Sequence, residues 1–135
     1  MPRLIASLMI TVLLVAGCAA STPGAATTAG PLAATVSVDE ATALRDAGAL
    51  VIDVREPDEW AQGHIPGATL IPLGELEARL SEVPGDKPIV VVCRSGNRSA
   101  QGRDVLQAAG FAEVTSMEGG MTDWIAAGLP VETGS

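Results

Sequence analysis

Positive charge is scarce in this chain. Its 135 residues hold eight Lys and Arg against sixteen Asp and Glu, a formal net charge of -8. Nucleic-acid phosphates are bound through basic surface, so this balance excludes a nucleic-acid partner, while a general acidic surface serves solubility. Cysteine is scarcer still, with two residues, and there is one histidine, His64. That inventory offers no ligand set at metal-binding spacing, so neither a metal nor a cofactor is expected. Aromatics amount to Trp60, Phe111 and Trp124, with no tyrosine. The apolar run over residues 4–15 falls short of the roughly 20 residues that cross a bilayer.

What is present is globular in character, 47% apolar and 18% charged, unlike a collagen-like or disordered chain. The length suits one domain with a real core. Arg3, the apolar run 4–15 and small residues ahead of Cys18 fit the h-region of a secretory signal better than a buried core helix, since the sixteen residues that follow carry no apolar pattern. The end of the run, Val15-Ala16-Gly17-Cys18, resembles the bacterial lipoprotein signal. That resemblance implies removal of residues 1–17, acylation of Cys18 and an extracytoplasmic, lipid-anchored position in a bacterial cell envelope, since several acyl chains anchor stably where one does not. Cleavage removes Arg3 and no acid, taking the formal charge to -9. Residues 18–34 continue as AASTPGAATTAGPLAA after Cys18, uncharged and without periodicity, the composition of a flexible tether. Residues 35–135 are then the folded domain. With Cys18 acylated, Cys93 has no partner in a compartment that oxidises free thiols, which makes it a functional candidate.

Within the domain, Ser37-Val38-Asp39-Glu40 has the capping-box pattern, and Gly48 stops the helix it opens, 38–47. Residues 49–54 (ALVIDV) form a continuous apolar run, as a buried parallel strand does. A turn through Glu56-Pro57-Asp58 precedes a short helix over 59–62, then a loop, GHIPGA, and a brief strand at 69–71. Leu76, Leu80 and Val83 have helical spacing ahead of Pro84-Gly85. The strongest strand signal is PIVVV within 87–92; a helix at 99–109, a weak strand at 113–116 and a helix at 120–127 complete the order. Strands alternating with helices predict an α/β fold of three layers, a parallel central sheet with helices on both faces. Ligands of such sheets bind beyond the carboxyl ends of the strands, where Asp53, Arg55 and Cys93 fall.

Cys93 is followed by Arg94-Ser95-Gly96-Asn97-Arg98, which must turn the chain into the helix expected near Ser99. Such a turn points successive N–H groups inward as an anion-binding nest, and Gly96 and Asn97 accept the backbone angles it needs. A sulfur at its centre is stabilised as thiolate and becomes nucleophilic. Arg94 and Arg98 are placed to hold an anionic substrate, Arg94 the better suited to substrate and Arg98 to bracing the loop.

The loop CRSGNRS (93–99), Asp53-Val54-Arg55-Glu56 with Glu59 and Trp60, Gly63-His64-Ile65-Pro66-Gly67-Ala68, Glu118-Gly119-Gly120-Met121 with Trp124, and Gly128-Leu129-Pro130-Val131 together resemble a single rhodanese domain. The resemblance covers residues 36–131 in order. It implies sulfur transfer: Cys93 as the nucleophile takes the outer sulfur of a small anionic donor such as thiosulfate and passes it from a persulfide to a thiol or cyanide, a redox protein being one such acceptor. Ser95, Gly96 and Asn97 belong to the cradle with the two arginines, whose amides and charges hold the developing negative charge. Phosphatases and arsenate reductases of the same fold resemble Cys, five residues, Arg; here four residues separate Cys93 from Arg98, a tighter cradle suited to a persulfide sulfur.

Plainer readings stand beside these. Cys93 as an inert buried thiol at a strand end is opposed by the arginines and glycine after it. Asp53 and Arg55 fit a structural ion pair under the loop better than a chemical role. His64, among Pro and Gly in a turn, reads as a structural histidine rather than a base, and Trp124 as core. A sulfur carrier serving one protein partner, with little turnover of free thiosulfate, is the rival to an enzyme; an inactive scaffold is opposed by the intact CRSGNR loop.

Overall fold

The computed structural model describes residues 31–135. The expected signal peptide, Cys18 and most of the expected tether lie outside the described residues.

Five strands form one parallel sheet: β1 (Thr35–Val36), β2 (Leu50–Asp53), β3 (Thr69–Leu70), β4 (Ile89–Val92) and β5 (Val114–Met117), in the order β1-β5-β4-β2-β3. Five helices cover it: α1 (Val38–Asp46), α2 (Pro57–Gln62), α3 (Leu73–Leu76), α4 (Asn97–Ala108) and α5 (Gly120–Ala126). Strand side chains alternate between faces, and both faces are buried, which is why β2 and β4 read as unbroken apolar runs. Ile52, Val54, Ile89, Val91, Cys93 and Val114 pack with Leu76 and Leu106 under α3 and α4. Val51, Val90, Val92 and Met117 pack with Ala41, Met121 and Trp124 under α1 and α5. Gly102 lets α4 sit close on the first face, since a Cβ there would lie 3.1 Å from Val91 Cγ1.

The capping box at Ser37 is formed from both sides, with Glu40 Oε2 accepting from Ser37 N at 2.8 Å. Three expectations are corrected. The 59–62 helix opens at Pro57, where the fixed φ suits the first turn and Glu56 and Glu59 make a second capping box. The helix read around Leu76–Val83 is one α-turn, α3, continued as a 3-10 segment over Glu77–Glu82, because Arg79 leaves helical geometry at φ -112°. The helix after the cysteine loop begins at Asn97 rather than Ser99. Strand β1 was not read from the sequence; it adds to the sheet edge through Glu118 N to Val36 O (2.8 Å), and Ala34 O just before it accepts from Ser116 N (3.0 Å).

Candidate active site

Cys93 leaves the end of the central strand β4 with its side chain in the α4 layer and 1% exposed. The turn that follows depends on Gly96, whose φ of +104° is left-handed and caps α4. That geometry folds the loop amides back on the sulfur. Gly96 N donates to Cys93 Sγ at 3.0 Å, and Ser99 Oγ lies 3.6 Å from it. Burial is the largest single influence on the thiol and pushes it up; the Ser99 hydroxyl and the amides of Ser99, Ser95 and Gly96 together outweigh burial and bring it below its ordinary value. The arrangement therefore favours a thiolate by hydrogen bonding to the charged form.

The outer side of the loop is fixed by α5. Met121 N donates to Cys93 O (2.8 Å), and both Thr122 N (3.1 Å) and Thr122 Oγ1 (3.0 Å) donate to Arg94 O. Gly120 makes that contact possible: its φ is +55° and a Cβ on it would stand 2.3 Å from Cys93 O.

The three arginines of this end of the sheet have different partners. Arg55 is buried and forked onto buried Asp53, with Nη2 to Oδ2 at 2.6 Å and Nε to Oδ1 at 2.9 Å, and it also donates to Gly63 O (2.8 Å) and Glu59 O (3.3 Å). It thus ties the end of β2 to α2. Arg98 makes a two-pronged pair with Glu59, 2.7 Å on each side. The Arg98 guanidinium holds the Glu59 carboxyl at about 2, against the opposing push of burial. Arg98 was read as a member of the substrate cradle better suited to bracing the loop; its guanidinium is engaged by a carboxylate 39 residues away. Arg94 is exposed, and among the described residues it is the arginine whose side chain makes no hydrogen bond or ion pair. Ser95 and Asn97 are exposed on the same turn.

A cleft of about 460 Å³ borders the loop, lined by Arg94, Gln62, Met121, Thr122 and Ile125 among others. Ile125 is 57% exposed there. His64 stands apart from the sulfur's contacts: Nδ1 faces Trp60 O at 3.0 Å, its ring stacks on Trp60 with centroids 3.6 Å apart, and its backbone pairs with Glu132. Trp124 packs in the core and donates Nε1 to Pro130 O (2.9 Å). Among the described residues there is no cluster of His, Cys, Asp or Glu that would hold a metal.

Sequence reading left Ser99, Ser116 and the Glu59–Arg98 pair out of the site. Glu59 was visible only as the start of a short helix and as part of the family resemblance, and Ser116 only as part of a weak strand. Ser99 Oγ lies 2.7 Å from Ser116 Oγ, both buried.

The rhodanese-like domain family matches residues 37–127. A sulfurtransferase of Allochromatium vinosum is 42% identical over 82 residues, covering 61% of this chain and 77% of that one. The thiosulfate sulfurtransferase GlpE of Pseudomonas entomophila is 38% identical over 89 residues, 66% of this chain and 82% of that one. The putative sulfur carrier protein YrkF of Bacillus subtilis is 40% identical over 74 residues, and only 40% of its length is spanned. In structure, a rhodanese-related protein from Thermoplasma volcanium superposes with a TM-score of 0.70 at 32% identity, over 76% of this chain and 100% of that one. A parallel sheet with a cysteine loop at its carboxyl end, matched over nearly all of the described residues, makes this chain a member of the rhodanese-like domain family, among relatives named as sulfurtransferases.

Proposed function

We propose that the protein is a sulfurtransferase that carries sulfane sulfur as a persulfide on Cys93. The observation that carries this reading is the sulfur itself, ringed by the amides of a six-residue loop with Gly96 N at 3.0 Å and drawn toward the thiolate. The Cys93 thiolate attacks the outer sulfur of thiosulfate or a similar anionic donor. The donor's S–S bond breaks, and sulfite leaves with the bonding pair. The new terminal sulfur bears the negative charge, and we assign the loop amides the task of holding it. A thiolate or cyanide then attacks that sulfur, leaving as a persulfide or thiocyanate, and the Cys93 thiolate is restored. Arg94, with its guanidinium free at the mouth, is the anion-binding group; Arg98, Asp53 and Arg55 hold the scaffold.

The test is intact mass of the full chain carrying Cys18→Ser, before and after thiosulfate. A gain of one sulfur, removed by cyanide and absent in Cys93→Ser, is the expected result. No gain from thiosulfate or from any other sulfane donor overturns the reading. The exposed Ile125 beside Arg94 favours a second reading, delivery to a protein partner with little turnover of free thiosulfate. Slow thiocyanate release despite full sulfur loading would select it. We further propose anchoring through acylated Cys18, supported by the 15–18 sequence; loss of membrane association in Cys18→Ala is the expected outcome.

A further inference from the structure

Beneath the cysteine loop lies a pair of buried hydroxyls that the sulfur-transfer scheme does not use. Ser99 is the third residue of α4 and Ser116 the third of β5. Both side chains are sealed from solvent, at 0% and 1% exposure. Ser99 Oγ has three neighbours: Cys93 Sγ at 3.6 Å, Gly96 O at 3.0 Å and Ser116 Oγ at 2.7 Å. Ser116 Oγ has Ser99 as its hydrogen-bond partner among the described residues.

Counting protons limits the direction of the chain. A hydroxyl has one proton and two acceptor sites. Gly96 O can only accept, so with a Cys93 thiol Ser99 can donate to Gly96 O and accept from both the S–H and Ser116. With a thiolate the sulfur can only accept, and Ser99 must turn its proton to it. Gly96 O is not abandoned by this turn, because Ala100 N already donates to it at 3.2 Å. Either serine can be the donor between the two hydroxyls, and with a thiolate it is donation from Ser116 that leaves the Ser99 proton for the sulfur. Removing the Ser116 hydroxyl leaves Ser99 one inbound donor when Cys93 is a thiol and none when it is a thiolate, so the hydroxyl that donates to the thiolate loses the polarisation an inbound donor gives and the thiolate is the state held less well.

We propose that Ser116 is a positioning residue for Cys93, acting through Ser99: its hydroxyl fixes Ser99 as an acceptor on the β5 side and so frees the Ser99 proton for the sulfur. This inference concerns the same sulfur as the sulfur-transfer reading, but its evidence lies in the hydroxyl geometry.

The experiment is the pH dependence of Cys93 alkylation by iodoacetamide in the full chain carrying Cys18→Ser, checked by thiolate ultraviolet absorbance. Ser116→Ala is expected to move the midpoint up by about a few tenths of a pH unit, because one bond is lost in both states and only the polarisation of the Ser99 hydroxyl toward the thiolate differs. Ser99→Ala is expected to move it at least as far, and adding Ser116→Ala to Ser99→Ala to move it no further. Urea unfolding at neutral pH verifies that each variant is folded. A midpoint unmoved by Ser116→Ala, or moved equally with and without Ser99, overturns the proposal. No sulfur donor enters the assay, so a midpoint shift in a protein that takes no sulfur from any donor would sustain this inference while the sulfurtransferase reading falls, and the converse pair of results would separate them the other way.

Discussion

Arginine shows how far one residue type is governed by its neighbours. Arg55, Arg98 and Arg94 all stand at the carboxyl end of the sheet, yet the first is buried on Asp53, the second is forked onto Glu59, and the third is unengaged. Removing Arg94 therefore takes nothing from the fold. Arg94→Ala is expected to change the unfolding free energy by less than about 0.5 kcal/mol, yet to raise KM for thiosulfate by about tenfold, as loss of a charged hydrogen bond does. An unfolding curve and a steady-state rate series on one preparation settle both halves. Glu59 makes the opposite prediction. Its folded value of about 2 lies below the ordinary 4.5, so the pair's stabilisation is fully present above about pH 4.5 and is lost as the pH falls through about 2. Both side chains are partly exposed, 32% for Arg98 and 24% for Glu59, so solvent screening trims the contribution to about 1 kcal/mol. Glu59→Gln should then be less stable than the parent by that amount at pH 7, with the difference closing as the pH falls through about 2. A deficit that persists unchanged at low pH would assign it to packing rather than to charge.

At the scale of elements, the cysteine loop is held between two helices whose first turns meet it: α4 continues it, and α5 grips its carbonyls through Met121 and Thr122. The grip depends on Gly120. A side chain there meets Cys93 O and adds the strain of a left-handed residue, so Gly120→Ala is expected to destabilise by at least about 2 kcal/mol and to slow Cys93 alkylation at neutral pH. Full stability with unaltered alkylation would mean that α5 merely abuts the loop. How much of this was legible in the sequence follows from the range of each interaction. The parallel sheet, the strand that bears Cys93 and the glycine turn were readable because apolar runs and φ-permissive residues act locally. The 3-10 continuation after α3 was not, since Leu76, Leu80 and Val83 keep helical spacing whether or not Arg79 stays helical. Strand β1 has two residues, too few for any periodicity. The partners Glu59 with Arg98 and Ser99 with Ser116 are joined by the fold across 39 and 17 residues, so no local pattern announces them.

For the molecule as a whole, the sheet is shared property. Each central strand sends alternate residues to opposite layers: in β4, Ile89 and Val91 to the α3–α4 side, Val90 and Val92 to the α1–α5 side. Neither layer can open without stripping one face of strands whose other face is still packed. Exposing that face forfeits about 25 cal/mol for each Å² of apolar surface, so partial opening is disfavoured and the domain should unfold as one unit. Trp124 reports on this, since it is 1% exposed in the α1–α5 layer, whereas far-ultraviolet circular dichroism is weighted toward α4, the longest helix, in the other. In a Trp60→Phe variant, which leaves Trp124 as the single tryptophan, fluorescence and dichroism are expected to give coincident urea midpoints. Fluorescence that moved first would show the α1–α5 layer peeling away alone. Because Met121 and Thr122 of that layer hold the Cys93 loop, such peeling would also expose the sulfur before the sheet was lost.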